Sequence, residues 1–186
     1  MRTAGFVLVG GHSRRMGRDK ARLPLASELL IESLARKVQH AAGSVCLVGA
    51  AARYRDLAID TIDDLRSSCG PLAGIEAALH SNRGDFNLIV ACDMPGLDES
   101  WLHELLTHAR RTDARCLISQ DPDGTLHPLC SVWRADCLEH VTRALDQSRL
   151  RLLDLVRELN ARALASPQPL ANINTPEEWH SWQLTR

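Results

Sequence analysis

Apolar residues along the chain fall into short blocks separated by glycine-rich or charged turns. Residues 4–9, AGFVLV, form a continuous apolar run closed by Gly10 and Gly11, the pattern of a strand buried on both faces rather than of an amphipathic helix. From Leu29 to Ala42 the apolar positions Leu30, Leu34, Ala35, Val38 and Ala42 recur at helical spacing until Gly43 ends the pattern, which predicts a helix over 29–42. SVCLVG at 44–49 predicts a second strand and LAIDTID at 57–63 a third, short one. Pro71 then opens a predicted helix carrying Ile75, Ala78 and Leu79. FNLIVACD at 86–93 is a fourth strand whose last residue is a carboxylate. Leu102, Leu105, Leu106 and Ala109 mark one face of a helix over 98–111. Strands over 115–119 and 129–133, helices over 135–147 and 150–160, and a terminal helix after Thr175 complete the order. Thr175-Pro176-Glu177-Glu178 offers an N-cap, a proline at the first helical position and acidic residues beside the helix dipole.

Strand alternating with helix at this spacing predicts an α/β fold: three layers, α/β/α, around a mainly parallel sheet, because parallel neighbours need crossover helices. At 186 residues, one domain over 1–186 is expected. The segment ALASPQPLANINTP reads as linker-like, but it is too short and too near the end to divide domains. No apolar run approaches the roughly 18 residues of a membrane span. Glycines and a basic stretch follow the first apolar run where a signal peptide needs a cleavage site, so a cytoplasmic location is expected. The 22 basic and 23 acidic residues leave a net charge of −1, which gives no general attraction to nucleic acid or anionic membrane. Any anion site must be local. The six cysteines, Cys46, Cys69, Cys92, Cys116, Cys130 and Cys137, form no CxxC pair and none stands at zinc-ligand spacing from a histidine. Most of them lie in or beside apolar runs, as expected of reduced, buried thiols.

Ligands of open α/β sheets bind outside the carboxyl ends of the strands. The loop after the first strand, GGHSRRMGRDKAR, combines three glycines with Arg14, Arg15, Arg18, Lys20 and Arg22. Backbone N–H groups exposed by glycine, together with these cations, suit a polyphosphate. The spacing is neither GxxxxGK[ST] nor GxGxxG, so this is neither a P-loop nor a Rossmann fingerprint. A solvated basic turn is the plain alternative. After the fourth strand, ACDMP places Asp93 at the sheet edge, where a carboxylate can hold a Mg²⁺ that bridges to phosphates. The alternative there is a turn aspartate satisfied by backbone. Asp63 and Asp64 offer a second carboxylate at the same edge, with a surface turn as the default for Asp64. Together these features predict phosphoryl or nucleotidyl transfer by positioning and charge neutralisation. Ser13 and Cys92 have no sequence partner that would make either a nucleophile, and His12 and His127 merely lie near the site loops.

VLVGGHSRRMGRDKARL resembles the nucleotide-binding signature of the molybdenum cofactor guanylyltransferases, LAGGxSxRMGxDKAxL. GPLAGIEAAL, ACDMP, HPLCSVW and NINTPEEW are similar to later signatures of that family in the same order, from about Phe6 to Trp182. The resemblance implies a nucleotide-diphospho-sugar-transferase-like fold. It implies transfer of GMP from GTP to the terminal phosphate of molybdopterin, giving molybdopterin guanine dinucleotide and pyrophosphate. It further implies a nucleotide site of Leu8, Gly10, Gly11, Ser13, Gly17, Lys20, Asp63, Gly70, Pro71, Leu72 and Gly74. Arg15, Lys20 and Asp93 would be the catalytic groups, with Mg²⁺ on Asp93, and Asn172 and Asn174 would lie on the molybdopterin side. Partners of that chemistry are GTP, molybdopterin, other cofactor-biosynthesis proteins and recipient molybdoenzymes. The chain departs from the signatures at Val9, at Ala26-Ser27-Glu28, where a glycine-containing turn is usual, and at Arg149-Leu150-Arg151, which loosely matches a basic stretch. Molybdopterin cytidylyltransferases and sugar-phosphate nucleotidyltransferases are the enzyme alternatives. A nucleotide-binding adaptor without catalysis is the non-enzyme alternative.

Overall fold

A computed structural model describes residues 1–10 and 19–184. The chain runs β1 (Thr3–Leu8), β2 (Pro24–Leu25), β3 (Glu28–Leu29), α1 (Leu30–Ala42), β4 (Val45–Val48), β5 (Thr61–Ile62) and α2 (Pro71–His80). It continues through β6 (Phe86–Ala91), α3 (Glu99–Arg111), β7 (Cys116–Gln120), β8 (Leu126–Arg134), α4 (Leu138–Asp146), α5 (Leu152–Glu158), β9 (Arg162–Ala165) and α6 (Pro176–Leu184). Among the described residues seven strands form one sheet in the order β5-β4-β1-β6-β8-β7-β9. Within this sheet only β8 runs against its neighbours, β6 and β7, and the other pairings are parallel. No helix among the described residues is long and apolar enough to cross a membrane.

Strand alternation builds the layers. Val7, Leu88, Val90 and Val132 point to one face, where they pack with Ile31, Leu34 and Val38 of α1 and Leu102, Leu105 and Leu106 of α3. Phe6, Leu8, Ile89 and Trp133 point to the other, against Leu72, Ile75 and Leu79 of α2 and against α4 and α5. Apolar burial on both faces accounts for the unbroken hydrophobicity of β1 and β6. Gly5 lets α1 close on β1: a Cβ there would stand 2.3 Å from Val38 Cγ1 and 2.6 Å from the Ser44 carbonyl oxygen. Gly5→Ala is therefore expected to cost about 1–3 kcal/mol through overpacking. Urea unfolding would read this as a lower midpoint, and an unchanged midpoint would mean that α1 can back away freely.

Four features differ from the sequence expectation. The third strand shrinks from 57–63 to Thr61–Ile62, because Leu57 and Ile59 are drawn against the α1/α3 core before the pairing starts. Part of the linker-like ALASPQPLANINTP is β9, a mostly exposed edge strand beside β7. The 135–147 helix begins with a 3-10 turn, Ala135–Cys137, before α4. Ala26-Ser27 forms the two-residue turn of the β2/β3 hairpin, with Ala26 at φ 53°, a conformation that glycine adopts more easily. The Thr175 cap is as expected and is reciprocated. Glu178 N–H donates to Thr175 Oγ1 at 3.2 Å, and Thr175 N–H donates to Glu178 Oε2 at 3.2 Å.

Candidate active site

The chain leaves β1 through α1 on one face to reach β4, and reaches β6, on the other side of β1, through α2 on the opposite face. The strand order thus reverses at β1/β6, which opens a crevice at their carboxyl ends. Backbone bonds knit that edge. Cys92 N–H donates to the Leu8 carbonyl at 3.1 Å, Val9 N–H to Val48 at 2.9 Å, and Gly49 N–H to Ile62 at 2.8 Å. Gly10, Asp93 and the Asp63–Asp64 pair consequently leave the sheet along one rim.

At this rim Asp93 is mostly buried. Its Oδ1 has no hydrogen-bond partner among the described residues, and its Oδ2 lies 3.6 Å from Lys20 Nζ. Burial raises the carboxyl above its ordinary range, with Lys20 pulling the other way. Lys20 Nζ donates to Asn174 Oδ1 at 2.9 Å. Asn174 Nδ2 stands 3.4 Å from Asn172 Oδ1, and Ile173 N–H donates to the Asp93 carbonyl at 2.8 Å. Residues from the two ends of the chain therefore converge on one strand end. Asp19 anchors the segment that carries Lys20: its Oδ1 accepts from Ala21 N–H at 3.0 Å and its Oδ2 from the Tyr54 hydroxyl at 2.8 Å. Tyr54 is fully buried, and its position in the sequence gave no sign of this role.

On the other side of the crevice, the expected Asp63 turns away, its Oδ1 accepting from Ala51 N–H at 2.8 Å. Asp64 is the carboxylate that faces the rim glycines. A Cβ added to Gly10 or to Gly74 would stand 3.4 and 3.5 Å from its carboxylate oxygens. Partial burial, and then the charge of Asp63, raise the Asp64 carboxyl. Strand alternation is the signal that separates the two, because neighbours leaving β5 point to opposite sides. Gly70 precedes α2 at φ 64°, which glycine adopts without strain, and Pro71 is exposed. The side chains of Leu8 and Leu72 are buried in the α2 core. Whatever these two contribute to a ligand must therefore come from backbone.

Gly11, His12, Ser13, Arg15 and Gly17 lie outside the described residues. Burial, with Asp93 and Asp19 adding to it, pushes the Cys92 thiol up to about 12, so it is neutral at working pH and no nucleophile. Cys92→Ala is expected to keep turnover within about twofold, and a larger loss in a steady-state assay would reinstate the thiol. His127 Nε2 is 3.0 Å from Asp121 Oδ2, while Asp121 Oδ1 takes the Leu170 N–H at 2.8 Å. Arg149 is held by Glu158 at 2.5 Å in the turn between α4 and α5.

The model of the MobA-like NTP transferase domain matches residues 5–163. A relative from Opitutus terrae named "Probable molybdenum cofactor guanylyltransferase" is 32% identical over 94% of this chain and 92% of its own. One of the same name from Flavobacterium johnsoniae is 27% identical over 94% of this chain and 87% of its own. Among solved structures, molybdopterin-guanine dinucleotide biosynthesis protein A from Archaeoglobus fulgidus superposes with a TM-score of 0.83 at 24% identity, covering 98% of this chain and 97% of that one.

Proposed function

The chain belongs to the MobA-like NTP transferase family, in company with molybdenum cofactor guanylyltransferases, and from that premise we propose that it transfers GMP from GTP to the terminal phosphate of molybdopterin. A phosphate oxygen of molybdopterin bonds to the α-phosphorus of GTP, the α–β anhydride breaks, and pyrophosphate leaves. The observation that carries this reading is the meeting of Lys20, Asp93 and Asn174 at the β1/β6 crevice.

A phosphomonoester has a second pKa near about 6 and is mostly dianionic at neutral pH, so it needs no general base. The obstacles are Coulomb repulsion between two polyanions and alignment at phosphorus. Lys20 Nζ, mostly buried and 3.6 Å from Asp93 Oδ2, is a cation at these strand ends, and Arg15 is its expected companion. The buried Asp93 Oδ1, which lacks a hydrogen-bond partner among the described residues, is the donor type that Mg²⁺ prefers. When bound, Mg²⁺ would neutralise charge on the α-phosphate and on the departing pyrophosphate. Asn172 and Asn174 present amides on the acceptor side, which is where molybdopterin would be oriented. Opposite them Asp64 offers a carboxylate to the adjacent ring N–H and amino groups of guanine. Cytosine, which has a ring acceptor in place of the N–H, suits it less well. Protein partners consistent with this activity are other cofactor-biosynthesis proteins and recipient molybdoenzymes.

A molybdopterin cytidylyltransferase is the competing assignment, and pyrophosphate release with GTP or CTP in the presence of molybdopterin decides between them. GTP is expected to be preferred, and equal rates would remove guanine from the assignment. In Gly10→Ala the new Cβ would meet, among the described residues, the Asp64 carboxylate at 3.4 Å, an ordinary contact distance that the fold should tolerate. Its GTP use should fall by about tenfold, the loss of roughly one charge-assisted hydrogen bond, while CTP use changes little.

A further inference from the structure

Among the described residues Glu76 is the only charged residue that is buried, at 3% exposure. It lies on α2, two residues beyond Gly74, and the Arg66 guanidinium grips it with a fork: Nε to Oε2 at 2.9 Å and Nη2 to Oε1 at 3.0 Å. Thr142 of α4 donates its hydroxyl to Oε1 at 3.0 Å, and Arg66 Nη1 reaches Asp146 Oδ1 at 2.6 Å. The Arg66 side chain thus ties the segment between β5 and α2 to both α2 and α4.

Stability is a poor reason for such a pair, because an apolar pair of similar volume avoids its desolvation cost. The fork instead anchors Arg66, in the middle of residues 63–70, to α2. This stretch has no helix or strand, and Ser68 and Gly70 hold left-handed φ values of 59° and 64°. Cys69 packs against the core near the end of the stretch, but Leu65, next to Asp64, is 54% exposed. Asp64, whose carboxylate faces Gly10 and Gly74, stands two residues before Arg66. We propose that the Arg66–Glu76 fork is a positioning device for Asp64, and that by holding this carboxylate against the Gly10 and Gly74 backbone it sets the preference for guanine over pyrimidine nucleotides. The proposal rests on the guanylyl reading above. A carboxylate that reads two adjacent N–H groups must be held within a few tenths of an ångström, on the order of 0.5 Å, which an untethered loop does not provide.

Calorimetric titration of the full chain with GTP and with CTP, each with Mg²⁺, tests this. The double variant Arg66→Met/Glu76→Met removes both charges and retains long unbranched side chains, so its thermal midpoint should stay near that of the unaltered protein or rise. Its GTP dissociation constant is expected to increase by about tenfold and its CTP constant by less than about twofold. Adding Asp64→Asn to the double variant should bring little further loss, since both changes act on the same contact. Arg66→Lys keeps the charge but not the fork and should move the GTP-to-CTP ratio in the same direction by less. An unchanged ratio in either variant overturns the proposal. So does equal weakening of both nucleotides with a lowered midpoint, or a loss that adds fully to that of Asp64→Asn. If the unaltered protein itself fails to distinguish GTP from CTP, the guanine reading falls first, and this inference falls with it.

Discussion

Asp93→Asn is expected to lower guanylyl transfer by on the order of a hundredfold or more while the fold survives. The change keeps the size of the side chain, and β6 packs through Leu88, Ile89 and Val90 rather than through position 93. The lost negative charge is what suits Oδ1 to a hard cation, and an amide oxygen replaces it poorly. The loss should therefore fall mainly on kcat, with metal-free GTP binding retained or tightened because an anion has left the phosphate site. Stability gives an independent check. The Asp93 carboxyl is raised in the folded protein, by burial more than Lys20 lowers it. A raised carboxyl binds its proton more tightly folded than unfolded, so its stabilising contribution exists at acid pH and is lost as pH rises through the folded value. The Asn variant escapes that loss. Its thermal midpoint should accordingly gain on the unaltered protein as pH rises from acid to neutral. Near-normal turnover in a pyrophosphate-release assay would move the metal site elsewhere, with Asp63 next in line by sequence and Asp64 by geometry.

Lys20→Ala is expected to weaken GTP binding by roughly ten- to hundredfold, the worth of a charge-assisted bond to phosphate. A lysine in a polar, glycine-rich loop suggests no structural cost, yet the side chain is only 13% exposed and holds Asn174 Oδ1 while standing beside Asp93. Truncation leaves a largely buried carboxylate without its cation. A lower thermal midpoint, equivalent to about 1–3 kcal/mol, should thus accompany the binding defect. Lys20→Arg keeps the charge but not the compact reach and should recover only part of the affinity. GTP titration and thermal unfolding of both variants check this, and unchanged affinity in Lys20→Ala would return the residue to a structural role.

Elements governed by local pattern were legible along the chain. TAGFVL and FNLIVA are β1 and β6 because both faces are covered, and the 3.6-residue spacing of α1 and α3 marks their inner faces directly. Asp93, Lys20 and Asn174 were visible as motif residues, and the structure adds their contact. Other features depend on partners far away in sequence. β9 is an exposed edge strand, held by pairing to β7 rather than by an apolar face, so RALA carries no alternation. The reversed direction of β8 follows from the short connection between β7 and β8, which the expectation of two successive strands left open. Tyr54 supports Asp19 across 35 positions, and Glu76 reads in sequence as an ordinary polar position of a helix until Arg66 folds over it. The choice between Asp63 and Asp64 turned on where β5 ends, and the strand is two residues long.

On the proposed reading this crevice joins a guanylyl group to a pterin phosphate. Incubating the protein with molybdopterin, Mg²⁺ and GTP labelled in its α-phosphate tests that most directly, with the label followed by mass and chromatography. The label should pass to a product with the mass of molybdopterin plus a guanylyl group, releasing one pyrophosphate for each label transferred, and this should require both substrates. Label that stays in GTP, or that moves only when α-labelled CTP replaces it, would rule out guanylyl transfer.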